Sequence, residues 1–428
     1  LIISEIPYYT PKENHFFGNL RNSYLFDLSQ ETGTLGELEI ISDLPDLRPR
    51  LDVSFLGKGT DYCCYVMNIY GVHPEKSGSR MQSFLFYFFL TQYGAMLYLV
   101  IVLFHTSGHL MLLEKIDIFT NVMLQVHGTL YLIVLYIQRP KIAALMSNMR
   151  KRFWSIEDYS HPLLKKEYFE VSHSLRKECM SYVGIMLLCA TVFCYGRIIQ
   201  DGKKVPDNML FKSYIPKFIN FWLLFTWEHI PASGLVVLEL SLDVIVFNIL
   251  TMTKLQFRLL RYEVENIFYD ELGKNGDVKL KIKKCSDHHT FLLEFRAMLN
   301  DTFSYLMLIY MGVIILILCI EMDSLADILG AAVYAAQMFF EFFICYCCPA
   351  QELKDEADLL SGALYFNDWH LHPAYYKDIA ILLGKSQIKV IYSAGGLMNL
   401  DLQTGLAAVK TMVSYSMFLQ TMTQLEAA

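Results

Sequence analysis

The chain has 428 residues, 54% of them hydrophobic and 18% charged, with a formal net charge of −7. Soluble chains sit near 45–50% apolar and about 25% charged, so the departure points to a bilayer and overrides the two or three soluble domains that length alone suggests. No basic tract is present, which argues against nucleic acid as a partner, and the ten cysteines show neither zinc nor redox spacing.

Residues 1–83 are expected to form a cytoplasmic N-terminal region. The first ~58 of them, with Pro7, Pro11, Pro45 and Pro49, read as a loose extension. This polar, mixed start does not look like a cleavable signal peptide, so the first span is expected to target the chain as well.

A helix needs roughly 20 apolar residues to cross a ~30 Å hydrocarbon core. Six segments meet that need: Phe84–Phe104, Ile118–Ile137, Met180–Ile199, Phe225–Leu250, Phe303–Ile320 and Ile328–Cys348. Leu402–Met422 is a weaker seventh, because it carries Gln403, Lys410, Ser414 and Thr421. Runs this long without period-two alternation select helices over a barrel. The expected fold is therefore an all-α, seven-transmembrane membrane protein. Its regions are 84–250 for spans one to four, 251–302 for polar helices, 303–348 for spans five and six, 349–401 for a second polar segment, and 402–428 for span seven.

Orientation follows from lysine and arginine in the loops. Nine lie between spans two and three, from Arg139 to Lys177, and nine between spans four and five, from Lys254 to Arg296. The loop after span one holds only Lys115, and the loop after span five has Glu321, Asp323 and Asp327 with no base. Lys203, Lys204, Lys212 and Lys217 after span three dissent. The balance places the N-terminus inside and the C-terminus outside, the reverse of a G-protein-coupled receptor. Met252–Glu265 is expected to continue span four as a charged helix, and Cys285–Asn300 to rebuild helix before span five. Pro349 is expected to break or kink the chain before a helix restarts over Gln351–Leu364. Such helices would pack below the membrane and between subunits.

Ionisable groups inside spans are costly and usually functional. Span four carries Glu228, His229, Glu239 and Asp243, and span six carries Gln337 and Glu341. A secondary transporter could use Glu239, Asp243 and Glu341. The reading preferred here places Glu228 and His229 at the outer interface and pairs Asp243 locally, because no inverted repeat is visible. Asn121 and His127 are expected to hydrogen-bond between helices rather than bind metal. No catalytic constellation, phosphate-cradling glycine loop or metal set appears, so no enzyme activity and no cofactor are expected.

Span seven is different. Gln403, Ala407, Lys410, Ser414, Phe418 and Thr421 recur at steps of three and four, which is one helical face. Two readings remain: a wall of an aqueous pore that solvates Lys410 and closes at Phe418, or a packed helix with Lys410 salt-bridged to Glu341.

Several strings resemble insect odorant receptors. Val409-Lys410-Thr411-Met412-Val413-Ser414-Tyr415-Ser416-Met417-Phe418 is similar to the Lys-Thr-Ser-Tyr-Ser-Tyr-Phe-like run that ends the family's seventh span. Ala394–Leu402 resembles the small-residue approach to that span, Ala363–Trp369 the Tyr-to-Trp motif, and Gly71-Val72-His73-Pro74 the Gly-Leu-Trp-Pro string before span one, with His in place of Trp. His288 or His289 with Phe295 is similar to the pattern before span five. The likeness runs from about Asn68 to the C-terminus. It implies an odorant-gated, non-selective cation channel in the plasma membrane of olfactory sensory neurons. The subunit would be a tuning one, assembled in a tetramer with the family's co-receptor, with seventh helices around one pore and cytoplasmic helices as the anchor. A gustatory-type receptor channel is the alternative, although Ser414-Tyr415 followed by Gln420-Thr421 does not match its ending.

Carried residue by residue, the gate falls on Phe418, with Thr421 and Met422 one turn further out and Ser414 and Lys410 lining the pore. The volatile odorant would sit among spans two, three, four and six, walled by Phe119, Val122, Met123, Leu188, Thr191, Tyr195, Trp227, Ile230 and Tyr334. An epitope tag fused after Ala428 should bind antibody on intact, unpermeabilised cells; staining only after permeabilisation would overturn the orientation.

Overall fold

The computed structural model describes residues 63–76, 78–106, 112–156, 162–201, 213–268, 275–321 and 341–427. The expected N-terminal extension and most of span six lie outside them. The helices are α1 (Arg80–Thr106), α2 (Leu112–Arg152), α3 (Pro162–Asp201), α4 (Phe221–Glu265), α5 (Asn275–Glu321), α6 (Cys348–Tyr365), α7 (Tyr376–Ser386) and α8 (Leu402–Ala427). A π-helical turn, Glu341–Cys347, leads directly into α6, and β1 (Ser393–Ala394) pairs antiparallel with β2 (Met398–Asn399) ahead of α8. Among the described residues, α1, α2 and α4 hold stretches long and apolar enough to cross a membrane.

The helices overrun the expected spans. α4 has 45 residues and α5 has 47. At 1.5 Å per residue each reaches about 70 Å, more than twice the hydrocarbon thickness. The charged helices expected beside spans four and five are therefore continuous with them. α2 likewise runs through Pro140 to Arg152, where the sequence suggested a loop after Ile137. Pro349 does not break the chain. It occupies the first turn of α6, where a missing N–H costs least, and the π turn before it widens the helix to admit the ring.

Residues 240–253 of α4 are buried without interruption, which makes this helix the centre of the bundle. Close approach to it is bought by glycine. A Cβ on Gly234 would fall on the Tyr70 hydroxyl, and one on Gly128 of α2 would meet Leu235. Pro231 within α4 cannot donate to the Trp227 carbonyl. Gln92 Nε2 from α1 takes that acceptor at 3.2 Å, and the neighbouring Tyr93 hydroxyl donates to the Pro231 carbonyl at 2.6 Å. The orphaned backbone group is thus satisfied by a second helix, as a dry interior demands. Before α1, Gly71 at φ 74° closes the helical stretch 63–69, with Val72 N donating to the Met67 carbonyl at 2.9 Å.

The charged end of α4 is tied to its neighbours by ion pairs. Lys254 meets Glu352 of α6 at 2.8 Å, Arg261 meets Glu356 at 2.9 Å, and Arg258 meets Glu167 of α3 at 2.7 Å. In the polar half of α5, His288 stacks on Trp154 at 3.8 Å and His289 packs edge-on to Phe257. Burial, helped by the charges of Lys284 and Arg152, lowers His288 to about 3, and burial lowers His289 to about 4. Both are neutral at physiological pH. Below a pH of about 6.5 the unfolded chain takes up protons that the folded one refuses, so stability falls with pH until the folded-state values are reached. Purified protein should lose ~2 kcal/mol per histidine between pH 7.5 and 5, seen as a lower melting temperature. A His288→Gln, His289→Gln double variant should flatten that dependence.

Candidate functional site

The start of α8 is fixed from several directions. Gly395 and Gly396 at φ 61° and 69° make the turn between the two short strands. Gly395 N donates to the Ser304 carbonyl at 2.9 Å and Ser393 N to Asn300 Oδ1 at 2.9 Å, which docks the turn on α5. A Cβ on Gly395 would lie 2.5 Å from Leu308. Asp401 then caps α8, accepting from Thr404 N at 2.8 Å, and Lys354 of α6 stands 4.0 Å from the same carboxylate.

From there α8 packs on α5 and the π turn. Gly405 and Ala408 are its buried positions among the described side chains, and they face the π turn and α5. The striped face points away. Gln403, Ala407, Lys410, Ser414, Phe418 and Thr421 are all exposed, with Phe418 at 59%. The Ser414 and Thr421 hydroxyls donate to the carbonyls of Lys410 and Met417, each at 2.9 Å, so their protons are satisfied within the helix. The side chain of Met422 lies outside the described ones. The ion pair weighed between Lys410 and Glu341 does not form: Glu341 is 4% exposed in the π turn while Lys410 is exposed on the opposite side of α8.

The residues expected to wall a ligand are spread over α2, α3 and α4. Val122, Met123 and Trp227 are half-buried, and Trp227 packs against the main apolar core. Phe119, Leu188, Thr191 and Ile230 are exposed, with Leu188 at 65% and Ile230 at 61%. The side chain of Tyr195 and all of Tyr334 lie outside the described part. Glu228 is buried, and Ser213 Oγ donates to it at 2.6 Å.

The polar groups of span four converge on partners that the sequence did not indicate. Asp243 accepts from the Tyr182 hydroxyl of α3 at 2.8 Å and from the Tyr346 hydroxyl of the π turn, so its expected local pairing runs between helices. His127 Nδ1 of α2 faces Glu239 at 3.6 Å, and Tyr310 of α5 stands beside Tyr346 with the rings tilted, centroids 5.8 Å apart. Nothing in the primary structure separates Tyr182 and Tyr346 from the other tyrosines of apolar helices. Among the described residues no group of three or more His, Cys, Asp or Glu is placed to hold a metal.

Residues 112–413 match the sequence model of the family described as 7tm odorant receptor. Odorant receptor 82a of Drosophila melanogaster is 22% identical over 289 residues, 60% of this chain and 73% of that one. Odorant receptor 85a of the same fly is 19% identical over 241 residues, 54% of this chain and 56% of its own length. Among solved structures, the insect olfactory receptor OR5 from Machilis hrabei superposes with a TM-score of 0.71 at 11% identity, over 86% of this chain and 99% of that one. The same receptor in complex with eugenol gives 0.70 at 12% identity, over 86% and 100%. At such identities the structural likeness is one of fold.

Exposure along α8 should be readable chemically. In the background of the parent protein, Ser414→Cys should react with a membrane-impermeant thiosulfonate and Ala408→Cys should not. Equal protection at both positions would place the stripe against lipid or protein rather than water.

Proposed function

The chain belongs to the 7tm odorant receptor family of insects, and on that premise we propose that it is the tuning subunit of an odorant-gated, non-selective cation channel. As a family member it is a multi-pass helical membrane receptor and not an enzyme. In the proposed assembly it joins the family's co-receptor in a tetramer in the plasma membrane of olfactory sensory neurons. Its N-terminus is inside, its C-terminus is outside, and its α8 helices surround one pore.

The observation that carries the reading is the uncovered polar face of α8. A helix held to its own subunit through Gly405 and Ala408 leaves Lys410, Ser414, Phe418 and Thr421 with no cover from that subunit. In hydrocarbon an ammonium at Lys410 would be costly. Around a shared axis it is hydrated, and Phe418 supplies an apolar ring of the kind that gates by dewetting. The long polar ends of α4 and α5, with exposed Leu359 of α6 and exposed Phe366 and Leu371 in the segment that follows it, support an intracellular anchor between subunits.

The ligand is proposed to be a small volatile, held by dispersion among Val122, Met123 and Trp227 and completed by Phe119, Leu188, Thr191, Tyr195, Ile230 and Tyr334. The eugenol complex of the Machilis receptor supports a small organic ligand. Opening follows when the ligand binds the open arrangement more tightly than the closed one.

Expression with the co-receptor should yield inward cation current evoked by members of a volatile panel, with little current from this subunit alone. Surface expression without current to any volatile would overturn the reading. In the same system Phe418→Ala, which removes the apolar ring, should raise basal current several-fold, and an unchanged basal current would move the constriction elsewhere.

A further inference from the structure

The π turn Glu341–Cys347 touches two parts of the molecule at once. π turns are rare and recur at functional positions. On one side Tyr346 donates to Asp243, whose second oxygen takes the Tyr182 hydroxyl at 2.8 Å. On the other side Phe343 and Cys347 meet Gly405 of α8. A Cβ built there would lie 3.0 and 3.1 Å from the Phe343 ring and 3.2 Å from Cys347 Sγ. The carboxylate clamp and the contact with α8 therefore lie within one seven-residue turn, Tyr346 being next to Cys347 and three residues from Phe343.

Asp243 is suited to hold this junction in a defined position. It is buried, and among the described residues no lysine or arginine pairs with it. Its oxygens are satisfied by hydroxyls from two other elements, each reaching it from a fixed direction. In a low dielectric a carboxylate that loses one such donor pays a desolvation penalty, so the clamp resists small displacements. The elements it joins are α3, α4 and the turn before α6. The first two carry Leu188, Thr191, Trp227 and Ile230, the residues that the proposed ligand wall draws from these helices.

We propose that Asp243, acting through Tyr346, is a positioning residue that sets where α8 stands at rest and transmits shifts between α3 and α4 to it. This rests on reading α8 as the pore wall. A relative movement of α3 and α4 changes the geometry of both hydroxyl donors. The π turn then moves, and Phe343 and Cys347 carry α8 at Gly405, where no side chain intervenes. Glycine at 405 keeps that contact at backbone distance.

The test uses the complex with the co-receptor, at matched surface expression, and reads basal current and the half-maximal odorant concentration. Tyr346→Phe keeps the ring and removes the donor; it should shift the half-maximal concentration about tenfold, the scale of one buried hydrogen bond. Gly405→Ala, which pushes α8 from the turn by a few tenths of an ångström, should shift it too. If both act through the turn, the double variant should depart from the product of the single effects. Ser241→Ala, which removes a hydroxyl bonded only to its own helix at Val237, should multiply independently with Gly405→Ala. Should Tyr346→Phe fail to reach the surface, Tyr182→Phe replaces it in the same cycle. Independent, multiplying effects of the clamp and Gly405 variants overturn the proposal, and so does a clamp variant that leaves both readouts unchanged. Absence of wild-type odorant current is the separate failure of the channel reading.

Discussion

A carboxylate in a water-poor helical bundle must be satisfied by the protein itself, and the arrangement around Asp243 follows from that constraint. Continuous burial of residues 240–253 of α4 leaves the polar groups there no access to solvent. Tyr182 and Tyr346 reach in from separate elements, and the same demand draws Gln92 to the Trp227 carbonyl freed by Pro231, with Tyr93 bonding the Pro231 carbonyl beside it. These contacts have direction, which apolar packing lacks. They fix how α1, α3 and the π turn are oriented around the central helix, while Gly234 and Gly128 set how near the neighbours come.

Outside the apolar part the chemistry changes. The continuation of α4 is held by arginine and lysine pairs to α3 and α6, partly exposed and individually weak. Together with the aromatic packing around neutral His288 and His289, they join the ends of α3, α4, α5 and α6 to one another.

α8 is anchored at its start and carries a line of exposed positions along one face. Asp401, Lys354 and the glycine turn fix the N-terminal end, and beyond Ala408 the described side chains of α8 are not buried. What distinguishes it from the other apolar helices is the run of exposed positions from Gln403 to Thr421 on one face.

Most of the helical architecture was legible in the primary structure, because twenty-residue apolar runs have few alternatives. The polar stripe of α8 was legible too, since the period of a helix alone puts Lys410, Ser414, Phe418 and Thr421 on one side. Helix ends were misjudged at Ile137 and Pro349. Charged residues look like loops when a helix leaves the membrane, and a proline in a first turn has the same local signature as one that breaks a helix. The sequence could show that Asp243 was costly but not what would satisfy it. The partners, Tyr182 and Tyr346, lie 61 and 103 residues away and have no distinguishing pattern of their own. Likewise Lys410 could be written as a pore residue or as the partner of Glu341. Packing, which buries Glu341 and turns Lys410 outward, removes the second pairing, because the facing of a helix depends on the neighbours it meets and not on its own period.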